Sequence, residues 1–101
     1  MAEETVGPVA AIAPFDTEDE VILRANDTEY GLVGYLHTRD PRQIFRISHA
    51  LQHGMVAVNR TKVTGTPIPF GGIKQSEPGH EGARQVMEEF MEFKYVCPDW
   101  A

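Results

Sequence analysis

Few side chains in this 101-residue chain are of a type and spacing that could do chemistry. The single thiol is Cys97. A cysteine nucleophile needs activation to thiolate and an oxyanion donor close by. Cys97 falls instead in Lys94-Tyr95-Val96-Cys97, which reads as the end of a strand. The four histidines, His37, His49, His53 and His80, lack the spacing of a zinc site. His49 and His53 are four apart on a predicted helix, yet no third ligand accompanies them, so no metal is expected. No Gly-x-Gly-x-x-Gly follows a strand, so a phosphate cradle is missing as well. What remains is Pro69-Phe70-Gly71-Gly72-Ile73-Lys74-Gln75-Ser76. Two adjacent glycines behind an aromatic imply a backbone that turns tightly or meets something closely. Taken alone, the run is a turn joining a strand to a helix.

The elements that would hold this loop follow from hydrophobic pattern. Residues 5 to 15 form a short, nearly continuous apolar run bounded by Gly7-Pro8 and Asp16, which predicts a strand covered on both faces. Thr17-Glu18-Asp19-Glu20 is a capping box with three acids in the first turn, where the helix dipole favours them. The helix it opens should run to about Ala25 and bury Val21, Ile22 and Ala25. Gly31 to His37 is a second predicted strand. Asp40 caps the next helix, with Pro41 at its first position and Gly54 at its exit. Ile44, Ile47 and Leu51 give that helix one apolar face. Met55 to Val58 is a third strand. From Asn59 to Gly79 prolines, glycines and hydroxyl side chains predict a long loop, of a length that is usually functional or ordered by a partner. A last helix from His80, with Ala83, Val86, Met87 and Phe90 on one side, leads to a strand from Glu92 to Cys97. The order strand-helix-strand-helix-strand-loop-helix-strand predicts an α/β fold with a mainly parallel sheet, because its first connections are helical.

Bulk properties narrow the function classes. The length suits one small domain. Nine basic against fifteen acidic residues leave a net charge of −6, without a basic block, which argues against a sequence-independent grip on nucleic acid. One cysteine excludes an internal disulfide and suits a reducing compartment. No apolar run reaches the roughly 20 residues of a membrane span, and no signal-peptide core is visible. The expected setting is the cytoplasm, or a matrix reached by a targeting segment absent here.

Taken together, the motifs resemble the C-terminal segment of the aldehyde dehydrogenase superfamily, and within it the succinate-semialdehyde dehydrogenases. Glu3-Glu4-Thr5-Val6-Gly7-Pro8 is similar to the Glu-Glu-x-Phe-Gly-Pro cofactor-contact motif of that family. Ala25 to Leu32, Thr38-Arg39-Asp40, Gly54 to Asn59, Pro69 to Ser76 and Lys94 to Cys97 follow in family order. The resemblance implies that Glu4 accepts hydrogen bonds from the nicotinamide-side ribose hydroxyls, for which a carboxylate supplies a fixed acceptor pair. It implies that Phe70 lies beside the aldehyde and that Thr64 directs a hydroxyl at the substrate carboxylate, where serine is more typical. Arg60 and Lys62 then either help hold a dicarboxylate or form a solvated rim. The chain departs from the family pattern at Val6, where the family has phenylalanine, and at Glu77, Pro78 and His80, where it has Gly-Leu-Gly-Arg-Glu. The lost arginine would have tied the loop to a glutamate, expected here at Glu92.

These resemblances frame the functional expectation. Residues 1–91 correspond to the end of a catalytic domain and residues 92–101 to the start of an oligomerisation strand. The full-length family oxidises aldehydes with NAD or NADP, through a cysteine and a glutamate base that lie upstream of this segment. The chain is therefore expected to be a C-terminal piece, with no catalytic residue and no cofactor of its own, that forms a homo-oligomer or joins a full-length aldehyde dehydrogenase subunit. A non-enzymatic interaction module is the alternative. A long ordered loop over residues 59–79 would favour that alternative.

Overall fold

The computed structural model describes residues 6–100. Its elements in chain order are α1 (Glu18–Asn26), β1 (Tyr30–Gly31), β2 (Val33–Leu36), α2 (Pro41–Ala50), β3 (Met55–Val58), β4 (Phe70–Gly71), β5 (Ile73–Lys74), β6 (His80–Glu81) and α3 (Gln85–Glu88). The centre is the parallel pair β2–β3, in register from Val33 opposite Met55 to Leu36 opposite Val58. A parallel pair needs a crossover, and α2 supplies it. Ala57 on β3 is 2% exposed and Ile47 on α2 is 6% exposed, which marks the small core between helix and sheet.

Local chemistry starts the two main helices where the sequence places them. Thr17 Oγ1 accepts from the Glu20 N–H at 3.2 Å, the first half of the predicted capping box. The Glu20 carboxylate reaches one residue further than such a box requires and accepts from the Asp16 N–H at 2.9 Å. Asp40 Oδ1 accepts from the Arg42 N–H at 2.9 Å, with Pro41 in the first helical turn. Glu18 then ties the helices together, since both its oxygens accept from the Arg46 guanidinium, at 2.6 and 2.7 Å. The exit of α2 differs from expectation. Leu51 caps it in extended backbone, and Gly54 has another use, described below.

Four sequence expectations are corrected. The sheet is not mainly parallel: among the described residues β1–β5 and β4–β6 are antiparallel two-stranded pairs, and only β2–β3 is parallel. The described residues 6–15 are not a strand and lie exposed. Residues 92–97 are not a strand either. In both cases a strand needs an edge to pair with, and none of the three small sheets extends to these arms. The last helix is reduced to Gln85–Glu88. His80 and Glu81 pair with Gly71 and Phe70 instead, and left-handed backbone at Gly82 (φ +69°) and Ala83 (φ +50°) breaks the helical path.

Candidate functional site

The Pro69–Ser76 loop is built from two very short strands and is held by the chain on several sides. On one side Phe70 and Gly71 pair with Glu81 and His80. On the other, Ile73 and Lys74 pair with Gly31 and Tyr30. Just beyond, the Gln75 N–H donates to the Glu29 carbonyl at 3.0 Å, and the Gly31 N–H donates to Ser76 Oγ at 2.8 Å. Between these anchors the loop backbone presses on Gly54. A Cβ at that position would overlap the Gly71 carbonyl oxygen and lie 2.8 Å from Gly72 Cα. Gly54 is therefore glycine because another backbone passes over it. The loop is ordered by this chain's own groups.

Phe70 is half-buried on β4, while Thr64 is exposed in the irregular segment that precedes it. That segment is itself turned and anchored. The Ile68 N–H donates to the Gly65 carbonyl at 2.9 Å, and the Ala83 N–H to the Thr66 carbonyl at 3.3 Å. Beneath it lies a cavity of about 240 Å³, lined by Met55, Val56, Ala57, Arg60, Val63 and Ile68. Arg60 thus reaches the loop's underside, while Thr64 and Phe70 do not line this cavity. Glu4 lies outside the described residues. The glutamate that meets the loop is Glu89, not the expected Glu92: its Oε1 accepts from the His80 N–H at 3.3 Å. His80 gives Glu89 only its backbone N–H, where a guanidinium would have offered a fork.

A larger cleft, about 450 Å³, is elsewhere, between α1, α2 and β2. Phe15, Val21, Ile22, Leu36, Ile47 and Leu51 form its apolar wall, and neither Thr64 nor Phe70 lines it. Of its two acids, Asp16 and Glu18, the second is already engaged: the Arg46 hydrogen bonds hold that carboxyl below the usual carboxylate value, against a smaller opposing effect of burial. We read this cleft as an underfilled core. His53 also borders it. Burial, with the Lys74 charge as a lesser cause, pushes His53 below its ordinary value, and its Nδ1 is buried without a hydrogen-bond partner.

The glycines of the loop face the chain's own backbone: the space beside Gly71 is filled by the Gly79 carbonyl and the His80 ring. No three His, Cys, Asp or Glu side chains among the described residues gather to hold a metal ion. Cys97 is exposed in the tail. Sequence reading missed Lys74 and Ser76 as anchors. The signal lay in their types, a long cation and a hydroxyl just after two glycines, but their partners at Asn26 to Gly31 are more than forty positions away in the chain.

Comparison with known proteins agrees with this geometry. The chain is 52% identical over 95 residues to a non-phosphorylating aspartate-semialdehyde dehydrogenase of Halomonas elongata, covering 94% of this chain and 19% of that protein. It is 47% identical to the mitochondrial succinate-semialdehyde dehydrogenase of Homo sapiens, with 94% of this chain and 18% of that protein covered. The fold superposes on an NAD+ complex of an aldehyde dehydrogenase from Bacillus cereus with a TM-score of 0.82 and 35% identity, over 85% of this chain and 18% of that one. The chain thus spans about a fifth of the length of the relatives it matches. The sequence pattern of the Aldehyde dehydrogenase family matches residues 1–96, and the chain belongs to that family.

Proposed function

We propose that this chain is the C-terminal part of the catalytic unit of an aldehyde dehydrogenase acting on a small aldehyde acid. Its role there is to present Phe70 beside the aldehyde and the Thr64 hydroxyl to the substrate carboxylate, with Glu4 contributing to NAD or NADP binding. The observation that carries the reading is the Pro69–Ser76 loop, pinned on both sides by backbone pairing and ordered without help from another chain. The relatives named for aspartate semialdehyde and succinate semialdehyde support an aldehyde that also bears a carboxylate. The nucleophile, the general base and the dinucleotide cradle must come from residues outside this segment, because Cys97 is the only thiol and sits in the tail.

Purified chain mixed with succinate semialdehyde and NAD or NADP should give no reduced cofactor above background. Turnover abolished by Cys97→Ser would overturn the reading. Within an assembled enzyme carrying this segment, Thr64→Val should raise KM for the aldehyde acid about 10-fold or more, the effect of losing a hydrogen bond to a charged group. An uncharged aldehyde should be affected far less. Equal losses on both would remove Thr64 from carboxylate recognition.

A second reading shares the loop's anchoring with the first and adds the exposed apolar arms. A loop over residues 59–79 that is anchored by this chain's own bonds favours a stand-alone interaction module that pairs with itself or with a full-length aldehyde dehydrogenase. Exposed apolar arms at both ends support the same reading.

A further inference from the structure

We propose that Lys74 is the positioning residue of the Phe70 loop, fixing it to the C-terminal end of α1. The inference rests on the reading that this loop faces the substrate. Lys74 has left-handed backbone, φ +58°, an unfavourable region for any residue with a Cβ. That conformation accompanies a side chain running back across the turn, with Nζ donating to the Asn26 carbonyl at 3.0 Å and to the Thr28 carbonyl at 2.9 Å. These carbonyls stand at and just beyond the end of α1, where a helix leaves unpaired carbonyls and partial negative charge. A single ammonium thus fills the role of a C-cap for one element while holding another.

The acceptor side is itself well fixed. The Asn26 side chain donates to the Ala50 carbonyl at 2.8 Å and accepts from the Gln52 N–H at 2.8 Å, so α1 and α2 end at one shared node. Through Lys74 the Phe70 loop joins that node. The neighbouring Gln75 and Ser76 contacts end on Glu29 and Gly31 and do not reach the Asn26 node. The proposal distinguishes the ammonium from the turn. If the position needed only left-handed backbone, glycine would serve better than lysine.

The test uses the full chain and no substrate, so its failure leaves the aldehyde-acid reading standing. In unmodified chain, competitive acetylation should label Lys74 at least about fivefold more slowly than Lys62 and Lys94, because two charge-assisted hydrogen bonds must open first. Equal labelling of the three overturns the proposal, with no variant needed. In Lys74→Met and Lys74→Gly, amide exchange at Gln75 and Gly31 should quicken about tenfold or more, while Met55 and Asn59 in the central pair keep their protection. Lys74→Arg should restore most of the loss. Glycine matching the parent chain would reduce Lys74 to a turn residue and sink the idea.

Discussion

Single side chains carry most of the long-range order in this small fold. Asn59 has left-handed backbone at the end of β3 (φ +53°), and its amide both accepts from the Thr38 N–H and donates to the Thr38 carbonyl, at 3.0 and 2.8 Å. His53 gives the fold a pH dependence of its own. Burial holds its folded pKa below the ordinary value of 6.5, so between these two values the unfolded chain binds more protons than the folded one. Stability is therefore full above about pH 6.5 and falls as pH drops through the folded value. Glu18 and Glu20 act in the same direction lower down. Arg46 lowers the first, and the Asp16 N–H with Arg24 lowers the second, both from 4.5, so their contributions disappear as pH falls below that value. Urea midpoints should accordingly decline from about pH 7.5 to about pH 5.5. His53→Phe should flatten that interval and leave the loss at lower pH intact. A midpoint that rises on acidification would contradict the assignment.

Among the elements, those set by local chemistry were legible in the sequence and those set by neighbours were not. Thr17 and Asp40 announce α1 and α2, and both helices begin where those caps stand. Asp40→Ala should cost about 1 kcal/mol by removing the acceptor for the Arg42 N–H, while Asp40→Asn should cost little, as read from chemical denaturation. Equal losses for both would mean that charge, not capping, matters there. The parallel pair was also readable, because apolar runs flank a clear helix. By contrast α3 has no side-chain cap and only four residues, since the apolar spacing of Ala83, Val86, Met87 and Phe90 could not reveal that His80 and Glu81 would pair with β4. The Phe70 loop was legible as a tight backbone turn from Gly71-Gly72. Its anchors were not, because Lys74 and Ser76 bond to segments that only the fold brings close. The alternating tail misled for a related reason. Period-two alternation specifies a strand only when an edge is present to receive it.

The molecule as a whole is too open for its length. Its radius of gyration is 18.6 Å, with extents of 71 × 34 × 26 Å, where a compact chain of about 100 residues has a radius near 13 Å. It exposes 8780 Å², against about 5,700 Å² for a compact monomer of this size. That excess, on the order of 3,000 Å², exceeds the roughly 800 Å² per partner of an ordinary stable interface. Much of the apolar share lies in the tail, where Phe90, Tyr95 and Trp100 are 86%, 88% and 89% exposed. Backbone without sheet partners beside such side chains is a template for pairing with another chain. Exposed apolar area of this kind is characteristically covered by a second protein surface, and among the described residues no helix is long and apolar enough to cross a membrane. We expect the intact chain to form a homodimer or larger assembly at tens of micromolar in sedimentation. A chain ending at Met91 should lose that assembly, because it lacks Phe93, Tyr95 and Trp100, while the Asp40-capped helix and the β2–β3 pair keep their amide protection. A compact monomer for the intact chain would refute self-pairing through the tail. A dimer that survives the truncation would move the interface to the exposed apolar arm formed by Val6, Val9, Ile12 and Phe15.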